Sequence, residues 1–296
     1  MTYTDAQIFD VIIIGGGPAG AQCGLWLKML GYNPVILEKA DKLGGLQLLN
    51  PHENHWTVCV PGHVGAELAE AMQVNINRHG VAHVLGVTDV KIERKDNNFH
   101  AVFKDAFGAY QMTAPKLVIA TGVYHKDGGL TPSDKVVIGS GQVIEDQDFK
   151  NLNVAILGGG DSAAEAYGFV IEKGAKSVDV YARTLRARKQ IHEKIPDENL
   201  HVGAYEVDDQ NATVNGKSYD KLCVMYGWRP VNPLPDSIPL SLDQRGFIDV
   251  DVHYRTSDEN IFAIGECAQR VHPCMVTAMA DGVIAAKALQ SDFESE

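Results

Sequence analysis

The stretch Ile8-Phe9-Asp10-Val11-Ile12-Ile13-Ile14-Gly15-Gly16-Gly17-Pro18-Ala19-Gly20 decides the fold. A short apolar run rich in β-branched residues reads as a buried strand, and it runs straight into a glycine turn. Apolar residues at Ala21, Leu25 and Met29 then mark a helix face, with Gly31 as its C-terminal stop. A second apolar strand, Pro34-Val35-Ile36-Leu37, ends at Glu38. Strand, glycine turn, helix, strand and terminal acid predict a βαβ unit that grips a dinucleotide. Gly15 permits the tight turn, Gly17 lets the backbone approach a pyrophosphate, and Gly20 allows close helix–strand packing. The helix N-terminus offers free N–H groups and a positive dipole end to phosphate. Glu38, 23 positions after Gly15, is placed to accept hydrogen bonds from ribose hydroxyls.

The same signal recurs 143 residues later. Asn153-Val154-Ala155-Ile156-Leu157 leads into Gly158-Gly159-Gly160-Asp161-Ser162-Ala163, a helix runs through Ala166, Phe169 and Val170 to Gly174, and Ser177-Val178-Asp179-Val180-Tyr181 is the next strand. Beyond that strand the charge changes. From Ala182 to Lys194, five cations (Arg183, Arg186, Arg188, Lys189, Lys194) face one anion, Glu193, a local +4. Such a run is usually a solvated helix face. Its position after the second strand, where arginine accommodates the 2′-phosphate of NADP, favours NADPH, with Arg183 and Arg188 as contacts.

Between and after the two units, Asn98–Phe103 and Ala109–Met112 read as an antiparallel hairpin, and Lys116–Ile119 as a buried strand ending at Ala120-Thr121-Gly122. Asn260–Ile264 is another apolar strand, ending at Gly265-Glu266, with a helix from about Thr277 to Leu289. The expected fold is α/β: two Rossmann-like three-layer dinucleotide-binding domains, the second (123–241) inserted into a discontinuous first (1–122 and 242–296). Composition agrees. The 296 residues are 45% hydrophobic and 22% charged, with 26 basic against 38 acidic residues and a net charge of -12. That acidity argues against a nucleic-acid partner. No apolar run reaches the ~20 residues needed to span a bilayer, and the N-terminus lacks the basic region and cleavage site of a signal peptide. The five cysteines include no Cys-x-x-Cys, which argues against a disulfide scaffold or a four-cysteine zinc site. A reducing, cytoplasmic setting is the expectation.

These features together resemble the two-dinucleotide flavoproteins, most closely the thioredoxin reductase-like branch of the class II pyridine nucleotide-disulfide oxidoreductases. The resemblance rests on the two glycine turns, Ala120-Thr121-Gly122, Gly227-Trp228-Arg229-Pro230-Val231-Asn232, Gly246-Phe247-Ile248-Asp249-Val250 and Ala263-Ile264-Gly265-Glu266. It implies FAD in the first domain, NADPH in the second, and a homodimer. By resemblance, Gly15, Gly17, Pro18 and Ala19 line the FAD pyrophosphate and Glu38 its adenosine ribose. Gly45 and Gln47 fall in the family's Gly-Gly-Gln turn, which Leu46 interrupts. Val84 falls at the adenine edge, Gly265 and Glu266 at the ribityl-phosphate region, where the family usually has aspartate. Met275 opens a helix aimed at the flavin pyrimidine ring. In the second domain Gly158, Gly160, Asp161, Ser162 and Ala163 take the NADPH pyrophosphate.

One departure matters most. Thioredoxin reductases carry a Cys-x-x-Cys just upstream of the second glycine turn, and here Val136 to Asp146 contains no cysteine. Electrons from FAD therefore need an external acceptor: a redox protein, a quinone, dioxygen or a small oxidised substrate. Ferredoxin/flavodoxin–NADP reductase-like enzymes also lack the dithiol but shield the flavin with a C-terminal aromatic, for which Phe293 is the one candidate. An atypical disulfide reductase would have to use Cys59 and Cys274, although free cysteine is usually buried. The bacillithiol disulfide reductase type places cysteine inside the first glycine turn, where this chain has Ala19. A flavin sensor without turnover is the competing class. His52, His55 and Cys59 do not have the His-Glu-x-x-His spacing of a zinc hydrolase, so no metal is expected; His55 is a candidate proton donor. Trp56 and Trp228 read as packing residues.

Overall fold

The computed structural model describes residues 7–268 and 272–295. They form two compact units, one made of Met1–Val123 and Arg229–Glu296, the other of Tyr124–Trp228.

After a short strand at Gln7–Ile8, the first unit runs in chain order through β1 (Val11–Ile14), α1 (Pro18–Met29) and β2 (Pro34–Leu37), followed by α2 (Gly65–Arg78) and β3 (Ala82–Val84). An antiparallel excursion comes next, β4 (Thr88–Lys95), β5 (Asn98–Lys104) and β6 (Ala109–Ala114), and then β7 (Lys116–Ile119). β1, β2 and β7 are buried at every position, as expected of parallel strands covered on both faces. Burial of each Ile or Val in them is worth about 1.5–3 kcal/mol.

The second unit repeats the plan with β8 (Val136–Ile138), β9 (Asn153–Leu157), α3 (Asp161–Glu172), β10 (Ser177–Ala182), β11 (Leu200–Val202) and β12 (Lys221–Val224). Its sheet is parallel throughout, in the order β8-β12-β9-β10-β11. β10 carries a buried acid, Asp179. Its carboxylate accepts hydrogen bonds from Lys217 Nζ (2.6 Å) and the Tyr219 hydroxyl (2.6 Å), and the same hydroxyl lies 2.7 Å from that of Tyr181.

The chain then returns to the first unit with β13 (Ile261–Ala263) and α4 (Met275–Ser295). β13 completes a five-stranded parallel sheet, β13-β7-β1-β2-β3. α4 lies tightly on α1: a Cβ at Gly282 would fall 2.5 Å from the Ala19 carbonyl oxygen. The helix runs well past the expected Leu289. Phe293 therefore sits inside it, its ring 4.9 Å from that of Tyr32, and is a packing residue of this unit.

One domain boundary and one family-like strand differ from expectation. The second crossing between units falls at 228/229, not 241/242. Residues 229–241 dock on the first unit because Val231 N–H donates to the Gly122 carbonyl (3.1 Å), Thr121 Oγ1 donates to the Val231 carbonyl (2.5 Å), and Ile238 is buried in that unit's core. Residues 246–250 form no regular strand; only an isolated bridge joins Leu242 and Ile248.

Candidate dinucleotide sites

In the first unit the turn after β1 is shaped by three glycines with different duties. Gly15 has φ +106°, and a Cβ there would lie 2.3 Å from the Ala120 carbonyl oxygen. At Gly20 a Cβ would lie 2.0 Å from the Gly15 carbonyl oxygen, so only glycine lets α1 rest on the turn. At Gly17 a Cβ would meet only the Gly45 Cα, at 3.8 Å. That side of the turn is open, where a ligand's phosphates can reach the backbone. Gly17 is also the N-cap of α1 and provides no side-chain cap, and Pro18 has no N–H. The first-turn N–H groups of Ala19 and Gly20 are thus left for an anion.

Glu38 is buried, and its carboxylate is already bonded to the turn. Oε2 accepts the Gly16 N–H (2.6 Å) and Oε1 the Ala40 N–H (2.8 Å). Charge-assisted bonds of this kind contribute about 1.5–3 kcal/mol each, so Glu38 braces the glycine turn. Each carboxylate oxygen keeps a further lone pair for a ribose hydroxyl. Val84 buries its side chain in the core, and its carbonyl accepts the Glu38 N–H (2.9 Å).

Gln47 lies on the short 3-10 turn Gly45–Leu49, alongside the glycine turn, to which Gly44 N–H is bonded through the Gly16 carbonyl (2.9 Å). Its Oε1 is buried and has no hydrogen-bond partner among the described residues. An acceptor left in that state costs about 1–3 kcal/mol unless a ligand donor meets it. An orphaned acceptor, an uncapped helix N-terminus and an open glycine face all suit a flavin dinucleotide.

At the far end, Glu266 is half-buried on the turn Gly265–Ala268, and burial raises its carboxyl above the usual carboxylate range. It lines a cavity of about 250 Å³ with Cys274, Thr277 and Asp281. Cys274 acts as the N-cap of α4: its N–H donates to Thr277 Oγ1 (3.1 Å) and its Sγ accepts the Thr277 N–H (3.5 Å). Met275 opens the helix as expected. His55 is exposed, 3.6 Å from Glu53, and Cys59 is exposed with φ +75°. Cys23, Cys223 and Cys267 are buried, and burial pushes their thiols up to about 12, 12 and 11. Among the described residues no three His, Cys, Asp or Glu side chains gather as a metal-ligand set.

The second unit has its own cleft, of about 360 Å³, at the carboxyl ends of β8, β9 and β12. Gly158 has φ +154° and packs on the Met225 carbonyl, whereas a Cβ on Gly160 would meet nothing within 4 Å. Gly160 is the N-cap of α3 and provides no side-chain cap, which leaves the first turn, with Asp161 and Ser162, open to phosphate. Ala163 is buried against the unit's core, in the place Gly20 takes in the first turn.

The basic cluster is divided by the structure. Arg188 is held by α3: its N–H and Nε donate to the Asp161 carboxylate (2.7 and 2.8 Å), and Nη2 lies 3.5 Å from Glu165. Its main partner is thus an acid, Asp161, beside which it lines the cleft. Arg183 is exposed with its guanidinium 6.0 Å from the Tyr205 ring centroid. Arg186 lines the cleft, and its N–H donates to the Gly159 carbonyl (2.6 Å). Arg188 lines the cleft as well, and three arginines within six residues of sequence give no sign of which of them the loop brings to it.

The two tryptophans also differ from expectation. Trp56 is 85% exposed. Trp228 is half-buried, lines the cleft and packs on His125 in a tilted arrangement, ring centroids 3.8 Å apart and planes at 31°. Burial lowers the His125 imidazole below its ordinary range.

Comparison with known proteins gives consistent results. A family model for pyridine nucleotide-disulphide oxidoreductases matches residues 9–282. The thioredoxin reductase of Peptoclostridium litorale is 28% identical, over 95% of this chain and 95% of the relative. A ferredoxin–NADP reductase of Limosilactobacillus reuteri is 27% identical, over 88% of this chain and 85% of the relative. The crystal structure of Lactococcus lactis thioredoxin reductase has a TM-score of 0.78 at 24% identity, covering 97% of this chain and all of that one (100%). The bacillithiol disulfide reductase of Bacillus cereus reaches 0.81 at 20% identity, covering 97% and 100%. At these identities the structural likeness is one of fold.

Proposed function

The chain belongs to the pyridine nucleotide-disulphide oxidoreductase family, and from that premise we propose that it reduces an external acceptor without a dithiol relay. As a family member it is an FAD-dependent oxidoreductase, with FAD and NADPH as the family's cofactors. When bound, FAD supplies the two-electron chemistry between NADPH and the acceptor.

The chain's own residues bind and orient. The open face of Gly17 and the first turn of α1 hold the flavin nucleotide's pyrophosphate, Glu38 the adenosine ribose, Gln47 and Glu266 the hydroxyl- and N–H-bearing remainder. In the second unit Gly160 and Ser162 take the NADPH pyrophosphate. Arg186, with Arg183 close by in the same loop, recognises the 2′-phosphate. Arg188 neutralises Asp161, which would otherwise set a negative charge at the helix N-terminus that receives phosphate.

The observation carrying this reading is the segment Gly139-Ser140-Gly141-Gln142, which comes directly after β8 with Ser140 in the cleft and no cysteine. Three of the five thiols are buried and held protonated, and a fourth, Cys274, caps a helix. The acceptor is a redox protein or a small oxidised molecule. Anaerobic titration of the yellow holoenzyme tests the first half: NADPH should bleach the flavin and NADH should do so poorly. Bleaching by neither nucleotide overturns the enzyme reading. Appreciable turnover in a thioredoxin-linked assay overturns the absence of a relay. Replacing Cys59 and Cys274 together should leave acceptor turnover unchanged.

A further inference from the structure

His125 and Trp228, in tilted ring contact, both line the cleft of the second unit. The sheet order locates them along a bound nucleotide. The chain leaves β9 through α3 to β10 on one side, and later returns to β12 on the other side of β9. The switch point, where such sheets bind dinucleotides, therefore lies between β9 and β12. The glycine turn after β9 takes the pyrophosphate in the middle. Arg186, beyond the end of β10, marks the adenosine side. The other half of an extended dinucleotide falls over β12 and β8, where Ser140, Gly227, Trp228 and His125 lie.

We propose that Trp228, backed by His125, is the platform on which the nicotinamide half of NADP(H) rests. This rests on the reading of the second unit as the NADPH unit. The pair is a built seat: a Cβ at Gly139 would lie 2.4 Å from the His125 ring, and Ser140 N–H points at His125 Nε2 from 3.4 Å. Oxidised nicotinamide is a cation and its reduced form is neutral. An indole face attracts the cation, so Trp228 favours the product NADP⁺. The burial of His125 keeps its ring neutral at pH 7, so it does not oppose that charge.

The test is calorimetric titration of the oxidised holoenzyme with NADP⁺ and, separately, with 2′,5′-ADP, which has no nicotinamide. Trp228→Ala should weaken NADP⁺ binding about fivefold or more, the loss of one cation–π contact. Binding of 2′,5′-ADP should stay within twofold of wild type, and Trp228→Tyr should restore most of the NADP⁺ affinity. Unchanged NADP⁺ binding in Trp228→Ala overturns the proposal. So does an equal loss for both ligands, which marks a structural role alone. If the wild type binds neither ligand, the NADPH reading of the second unit fails, and the platform fails with it.

Discussion

Substituting alanine for two glycines of the first turn separates folding from cofactor binding. In Gly20→Ala the new Cβ would lie 2.0 Å from the Gly15 carbonyl oxygen and 3.1 Å from the Ala120 Cβ. Both neighbours sit at the ends of buried strands, so α1 must lift away from its sheet. Overpacking of this sort costs roughly 1–3 kcal/mol, and a contact with backbone places it at the upper end, about 3 kcal/mol. Better helix propensity returns only ~1 kcal/mol. In Gly17→Ala the nearest atom to the new Cβ is the Gly45 Cα at 3.8 Å, and the backbone is extended, at φ -70° and ψ -177°. The loss of a favourable N-cap residue and the gain from a stiffer unfolded chain are each under about 1 kcal/mol and oppose each other. Without FAD, Gly20→Ala should therefore melt roughly 4–8 °C below wild type, and Gly17→Ala within ~2 °C of it. Cofactor affinity reverses the emphasis. The Gly17→Ala methyl occupies the face through which phosphate reaches the Ala19 and Gly20 N–H groups, and losing one charge-assisted hydrogen bond weakens binding about 10- to 100-fold. Calorimetric melting of the FAD-free protein and flavin absorbance per protein after gel filtration measure the two effects. A Gly17→Ala protein that melts as low as Gly20→Ala, or retains FAD with wild-type affinity, refutes the division of roles.

Three further outcomes rest on the same geometry. Burial raises the Glu266 carboxyl, so its folded-state pKa lies above the unfolded one, and the stability it contributes is lost as pH rises through the folded value. Glu266→Gln should therefore raise the melting temperature of FAD-free protein at pH 7, lose that advantage below about pH 4, and weaken FAD retention; pH-dependent melting curves check it. At Asp179, burial pushes the pKa up, but hydrogen bonds from Lys217, Tyr219 and His201 outweigh it and the net shift is downward. Its stabilisation is present above the ordinary carboxylate range and is lost as pH falls through the folded value. Asp179→Ala, which removes the acceptor shared by exposed Lys217 and by Tyr219, should cost about 1–3 kcal/mol in urea unfolding. Arg186→Ala should raise the KM for NADPH about tenfold and leave that for NADH unchanged; equal effects on both would remove Arg186 from the 2′-phosphate site.

The sequence alone determined the two βαβ units, because a buried parallel strand, a glycine turn and a helix face are local patterns with local causes. Each glycine's duty derives from a backbone contact within a few residues or at the neighbouring strand. The absence of a Cys-x-x-Cys was equally legible, since that motif is a spacing. The tertiary structure decided what depends on neighbours distant in sequence. Arg188 belongs to Asp161, 27 positions away. Glu38 braces Gly16, 22 positions back. Residues 229–241 side with the first unit because they bond to Thr121 and Gly122. Trp228 and His125 lie 103 positions apart in sequence and within one ring contact in space. Charge and aromaticity are visible in a sequence, but the partner that makes a cation free or engaged, or an aromatic ring a filler or a platform, is chosen by the fold.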